Sequence, residues 1–144
     1  METATVGKVI VSAKIENLGD LEDVFKGRIS PDQVRCLELD DVLVDTGATT
    51  VSLPTRLIDQ LGLRLLGKRQ ARTATGIATF GYYSPVRLTV QGRDCVVEVG
   101  ELADGCPAVI GVIPLEILDF VVDPKNNRLI GNPAHGGVQM LDML

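Results

Sequence analysis

The chain predicts an all-β fold, a barrel or sandwich carrying one or two short helices. Three observations point there. Short runs of Val, Ile, Leu and Thr recur at regular spacing along the 144 residues. Clusters of Gly, Pro, Asn and Asp separate them, and these residues build tight turns. The composition, 45% hydrophobic with no Trp, two Tyr and three Phe, leaves Val, Leu, Ile and Ala to fill the core. Such a length suits one domain, expected over residues 1–144, and is enough to bury a real core.

The elements follow in order. Val6 to Ile15 alternates, with Val9, Val11, Ala13 and Ile15 on one face and Lys8, Ser12 and Lys14 on the other. That is the period of a half-buried strand. Asn17 to Asp32 is polar and broken by Gly19, Gly27 and Pro31, so an irregular connection is expected there. Within it, Ser30-Pro31-Asp32-Gln33 has the N-cap and first-turn proline of one helical turn. Val34 to Leu39 resumes strand character, Asp40-Asp41 interrupts it, and Val42 to Val44 completes it. Thr50 to Leu53 is a short strand ended by Pro54. Pro54 to Leu61 places Leu57, Ile58 and Leu61 at helical spacing, with Gly62 positioned to end the helix. Arg72 to Val90 reads as a long hairpin turning at Ala74-Thr75-Gly76, with Pro85 in the returning arm. Gln91-Gly92-Arg93-Asp94 is a second turn, followed by a strand from Cys95 to Val99. Gly105 and Pro107 mark a loop before Ala108-Val109-Ile110-Gly111, and Pro114 to Leu118 is a short helix. Phe120 to Val122 and Arg128 to Ile130 flank a third hairpin turn over 123–127. A glycine-rich tail from Gly131 ends in Val138 to Leu144.

Composition also excludes functions. No apolar run approaches the ~20 residues that cross a bilayer, and Met1 to Thr5 lacks the basic and apolar regions of a signal peptide. No membrane association is expected, and the cytoplasm is the expected location. Cys36, Cys95 and Cys106 lie far apart in sequence; Cys36 and Cys95 sit in apolar strand-like runs, where a buried, reduced thiol is ordinary. With no Cys-x-x-Cys pair and His135 as the only histidine, no metal and no cofactor are expected. A net charge of −5 disfavours nucleic acid as a partner. The local basic group Arg64, Lys68, Arg69 and Arg72 reads as a solvated loop or strand face.

Chemistry concentrates at Val42 to Thr50, where an apolar strand runs into Asp45-Thr46-Gly47-Ala48. Peptide hydrolysis without metal, serine or cysteine needs one group to activate water and another to protonate the carbonyl oxygen. Two carboxylates about 3 Å apart cannot both ionise, so one serves as base and the other as acid. The chain holds a single Asp-Thr-Gly and no Asp-Ser-Gly. A dyad therefore requires Asp45 from two identical chains across a two-fold axis. Thr46 supplies a hydroxyl to bond across that axis, Gly47 lets its N–H approach the carboxylates closely, and Ala48 keeps the floor small without adding a donor.

Val42 to Thr50 resembles the active-site loop of the retroviral-type aspartic proteases, the retropepsins. In that family two apolar residues and a glycine before a short helix pack beside the catalytic loop. Val109-Ile110-Gly111 followed by Pro114 to Leu118 matches in kind and order, and as a structural element. The hairpin at Thr75-Gly76-Ile77 sits where the family carries its substrate-covering flap. The likeness in element order runs from about Val34 to Ile130. More narrowly, Asp45 to Thr50 and Gly131-Asn132-Pro133 are similar to segments of bacterial cellular members. The resemblance implies a closed acid-protease barrel, a homodimer with one active-site loop per chain, and Val138 to Leu144 as terminal dimer strand.

The expected function is a homodimeric aspartic endopeptidase acting on peptide or protein, with Asp45 catalytic. Its cleft is expected to be apolar. Its pH optimum is expected to be mildly acidic to near neutral, because Ala48 brings no hydroxyl to the ionised dyad. The alternative is a catalytically silent dimer of the same fold that binds peptides or serves assembly. His135 beside Gly136-Gly137 is expected to be an exposed loop residue, and no local signature supports a Cys–His protease. Tyr82 and Tyr83 are expected to half-pack against the barrel.

Overall fold

The alternation at the start becomes strand β1 (Val9–Asn17), whose Val9, Val11, Ala13 and Ile15 are buried. The computed structural model describes residues 8–143; Val6 and Gly7 of the expected first strand, the segment before them and Leu144 lie outside the described residues. Strand β2 (Cys36–Val44) pairs antiparallel with β1, from Val9 opposite Val44 to Glu16 opposite Cys36. Asp40-Asp41 was expected to interrupt this strand and does not. The register slips between Val11–Val42 and Ala13–Leu39, so the extra backbone bulges outward with both aspartates exposed.

Between these strands the expected irregular connection contains a helix, α1 (Leu18–Phe25). Asn17 builds it: Oδ1 accepts from the Asp20 N–H at 3.1 Å, while Nδ2 donates to Leu61 O at 2.8 Å. Gly27, at φ 73°, follows the helix end. Gly19 and the acidic residues hide the apolar spacing of Leu18, Leu21 and Val24. Asp20 is itself buried, and Arg35 clamps it through Nε at 2.8 Å, Nη2 at 2.9 Å and the backbone N–H at 2.9 Å. The Arg35 hydrogen bonds hold the Asp20 carboxyl below the usual carboxylate range. The helical turn expected at Ser30 is present as a 3-10 turn over Pro31–Gln33.

Strand β3 (Val51–Pro54) leads into helix α2 (Thr55–Leu61), which buries Leu57, Ile58 and Leu61 and ends at Gly62, φ 64°. Strands β4 (Leu65–Thr73) and β5 (Gly76–Val90) form the long hairpin, whose first arm starts earlier than Arg72. Pro85 lies inside β5 without breaking it, because pairing with strand β6 (Arg93–Leu102) slips between Tyr83 and Val86. A proline at that irregularity removes no ladder hydrogen bond. Then come β7 (Val109–Ile110), α3 (Val112–Leu118), β8 (Phe120–Asp123) and β9 (Arg128–Gly131). Helix α3 begins two residues before the expected Pro114.

The strand order β1-β2-β7-β3-β6-β5 returns to β1 through a second pairing, Lys14–Thr89 to Asn17–Val86, so six strands form a ring. Strand β4 lies outside the ring on β5, and β8–β9 is a separate hairpin. At the seam the buried Glu16 faces Arg87, whose Nη2 and Nε reach Oε1 at 2.8 and 3.0 Å. An unpaired carboxylate there would cost several kcal/mol. In the core Ile15, Leu53, Ile58, Leu61, Leu88, Ile110 and Leu118 are almost fully buried, each stabilising the fold by roughly 1.5–3 kcal/mol. No described helix is long and apolar enough to cross a membrane.

One expectation about a single residue fails. Cys36 lies in β2 but is exposed, because the end of that strand faces solvent; only Cys95 is buried, and burial pushes its thiol up to about 11. The tail over 138–143 forms no strand. Within it, Met140 N–H donates to Asp119 Oδ2 and Gln139 Nε2 donates to Ile117 O, which ties the single chain's tail to the end of α3.

Candidate active site

Strand β2 delivers Asp45 to a loop that the chain locks from the other side. Strand β7 runs between the two arms of that loop, parallel to β2 and antiparallel to β3. Four backbone hydrogen bonds then fasten the loop: Asp45 N–H to Ile110 O at 3.0 Å, Gly111 N–H to Thr50 O, Val112 N–H to Ala48 O and Ile113 N–H to Thr49 O, each of these at 2.9 Å. The last two donors belong to the first turn of α3, whose N–H groups have no partner inside the helix. Loop and helix start therefore satisfy each other.

Gly111 makes this approach possible. Its φ of −94° suits any residue, but a Cβ there would stand 2.6 Å from Ala48 O and 2.7 Å from the Ala48 and Thr49 carbonyl carbons. Val109 and Ile110 are buried beside it. All three thus take part in packing under the loop, and the apolar-apolar-glycine pattern in the sequence reflects that crossing.

Above this base Asp45, Thr46 and Gly47 are exposed and Ala48 is half-buried. Gly47 N–H donates to Asp45 Oδ1 at 2.9 Å, and Ala48 N–H donates to Asp45 O at 3.0 Å. Thr50 anchors the returning arm through Oγ1 to Glu98 O at 2.9 Å. Asp45, Gly47 and Ala48 open onto a cleft of about 1070 Å³, walled by the β4–β5 hairpin, β6 and α3. Such a volume is large enough to take several side chains of an extended ligand.

Thr75, Gly76 and Ile77 are exposed at the outer tip of the hairpin. Gly76 takes φ 132°, and Thr73 Oγ1 closes the turn by donating to Gly76 O at 2.8 Å. The cleft wall itself is formed lower down, by Arg69, Ala71, Thr73, Ala78, Phe80 and Tyr82. The cleft is mainly apolar, as expected, with Phe80, Val97, Val99, Ile113 and Ile117 in its lining, but Arg69, Arg72, Glu98 and Glu101 line it too and add charge that was not expected. Sequence reading missed these residues because it took the basic group as a solvated face. Strand alternation signals only part of this wall: it places Arg69, Ala71 and Thr73 on one face, with their partners Phe80 and Ala78 beside them on it, whereas Arg72 has the opposite parity. Tyr82 and Tyr83 are half-buried as expected, and Tyr83 OH donates to Glu101 Oε1 at 3.2 Å.

The chain matches the family model described as gag-polyprotein putative aspartyl protease over residues 40–116, more than half of its length. The chain belongs to this aspartyl protease family. The matched segment of the protease domain begins just before the Asp45 loop and ends within α3, so it contains all of the cleft lining except Ile117. No curated protein matches the chain. Among the described residues of this protease domain, no group of three or more His, Cys, Asp or Glu side chains is arranged to hold a metal ion.

His135 departs from expectation. It lies half-buried in a 3-10 turn (Pro133–His135), with Nδ1 2.6 Å from Asp119 Oδ2. The ring is spent on a carboxylate rather than left in a free loop.

Proposed function

We propose that the protein is a homodimeric aspartic endopeptidase in which Asp45 of two chains forms the catalytic dyad. The observation that carries this reading is the exposed Asp45 carboxylate on a loop clamped by Gly111, Val112 and Ile113 and opening onto a peptide-sized cleft. One chain contributes one such carboxylate, and among the described residues Asp45 Oδ2 has no hydrogen-bond partner. Thr46 bonds across the two-fold axis, and the Gly47 N–H orients the carboxylate. In the dimer one carboxylate takes a proton from a water as that water attacks the scissile carbonyl, while its protonated partner donates to the carbonyl oxygen. In the collapse of the tetrahedral gem-diol one of its hydroxyls returns a proton to the ionised carboxylate as the C–N bond breaks. The protonated carboxyl gives its proton to the leaving amine, which restores the dyad with one proton. Thr75, Gly76 and Ile77 close over bound peptide from the hairpin tip. The domain spans residues 1–144, and its unpaired cysteines fit a reducing compartment, so we place it in the cytoplasm.

The test is a peptide library incubated with wild type and Asp45→Asn and read by mass spectrometry. Cleavage is expected from wild type alone, with kcat in the variant reduced at least about a thousandfold. Equal cleavage by both removes Asp45 from the mechanism, and a chain that stays monomeric in sedimentation at high concentration rules out the dyad. The expected optimum lies between mildly acidic and neutral pH; a maximum below about pH 3 contradicts it.

A further inference from the structure

The hairpin wall carries a stack that peptide hydrolysis does not require. A Cβ on Gly67 would stand 2.9 Å from both Cε1 and the hydroxyl oxygen of Tyr82. Because position 67 has no side chain, the Tyr82 ring lies down against β4. Arg69, two residues on and on the same face, lies over that ring with its guanidinium carbon 3.6 Å from the centroid. Its Nη1 donates to Glu98 Oε1 at 3.2 Å, and the Arg69 side chain makes no other hydrogen bond among the described residues. The side chains of Arg69 and Glu98 are 52% and 43% exposed, and both residues line the cleft that holds Asp45.

This is a cation held in place with most of its donors unspent. A guanidinium has five N–H donors in a rigid plane, and Glu98 takes one. The Tyr82 ring fixes that plane whether or not Glu98 stays, since cation–π attraction acts on the face and leaves the edge free. Nothing comparable holds Glu98. Arg72 lines the same cleft with no carboxylate partner among the described residues, whereas Glu101 spends its oxygens on Thr55 Oγ1 at 2.8 Å and Tyr83 OH at 3.2 Å. The unspent recognition capacity of the wall is therefore cationic.

We propose that Arg69, oriented by Tyr82, is a specificity-determining residue that pairs with an Asp or Glu side chain of the peptide substrate near the scissile bond. The proposal rests on the endopeptidase reading and names the substrate class for that site. Glu98 competes for the same guanidinium edge, so it weakens the preference for an acidic side chain.

Matched peptides differing only in Glu against Gln at each position around the cut, assayed with wild type, Arg69→Gln, Arg69→Lys and Glu98→Gln, test this. At one position wild type is expected to favour Glu roughly tenfold in kcat/KM, mostly through KM. Arg69→Gln brings that ratio close to one, Arg69→Lys keeps part of it by retaining charge without the planar fork, and Glu98→Gln widens it. The proposal is overturned by a wild type with no acidic preference, or by a preference that survives in Arg69→Gln. A Lys or Arg preference that disappears in Glu98→Gln overturns it as well and assigns the wall to the carboxylate. If no peptide is cleaved, the endopeptidase reading fails first. Fluorescence anisotropy of the same labelled peptides on Asp45→Asn then decides the inference: tighter binding of the Glu peptide, lost on adding Arg69→Gln, supports it, and equal or absent binding of both peptides refutes it.

Discussion

Asp119 Oδ2 lies 2.6 Å from His135 Nδ1, and through this contact the end of α3 holds the C-terminal segment. The same carboxylate accepts from Asn132 Nδ2 at 3.2 Å and from Met140 N–H at 3.0 Å. Asp119 takes φ 59° as the C-cap of α3, which turns its buried side chain toward the tail. Arg93 completes the clasp, bonding to Leu118 O, Asp119 O and Gly137 O while lying over the Phe120 ring. The hydrogen bond from His135, with those from Asn132 and Met140, keeps the Asp119 carboxyl below its ordinary range.

The sign of the pH dependence follows. A carboxylate with a lowered folded-state pKa contributes stability above its unfolded value of about 3.9, and that stability is lost as pH falls through the folded pKa. Asp119→Asn should therefore melt below wild type at neutral pH. The gap should shrink below about pH 4 and be gone once both forms of the wild-type group are protonated. Thermal melts of both proteins from pH 8 to strongly acidic conditions check this; a gap that does not change with pH refutes it. Asp20 and Asp123 are lowered in the same direction by Arg35 and by Asn126 with Arg128. Wild type should accordingly lose stability steeply in that window.

Gly111→Ala tests the clamp under the loop. The new methyl would meet backbone at Ala48 and Thr49 rather than a yielding side chain. The expected cost is about 1–3 kcal/mol in urea denaturation, from forced backbone shifts. Activity should fall further than stability alone accounts for, because the displaced segment carries Asp45.

The three thiols should separate by reactivity. Cys36 and Cys106 are exposed, whereas burial pushes Cys95 up to about 11, and the thiolate is the reactive form. A thiol reagent at pH 8 is expected to titrate two cysteines in the folded protein and a third only in denaturant. Rapid reaction of all three under native conditions would contradict the burial of Cys95.

The turn between β5 and β6 offers a stabilising change. Gln91 and Gly92 take φ 48° and 79°, both in the left-handed region that two-residue hairpin turns of this hand require. Asparagine tolerates that conformation better than glutamine. Gln91→Asn should raise stability by about 0.5–1 kcal/mol, measured by chemical denaturation, with no change in the cleft.

Local pattern alone determined much of this protein. The Asp45-Thr46-Gly47-Ala48 loop, the Val109-Ile110-Gly111 crossing, the hairpin tip at Gly76 and helix α2 are written in runs of a few residues, because turn chemistry and apolar spacing act over short range. The α1 helix was nearly legible: Asn17 capping Asp20 is a local signal, obscured by Gly19 and the acidic run. Other features depend on residues brought together from far along the chain. Strand β1 closing onto β5 places Glu16 against Arg87, 71 residues away, and no spacing rule links them. Arg69 meets Glu98 only because β4, β5 and β6 lie side by side, so a basic run that reads as a solvated face becomes a wall of the cleft. His135 looks like a loop residue until Asp119 is folded against it. Charge partners chosen by tertiary contact leave no periodicity in sequence, and here they decide how the cleft is lined and how the tail is held.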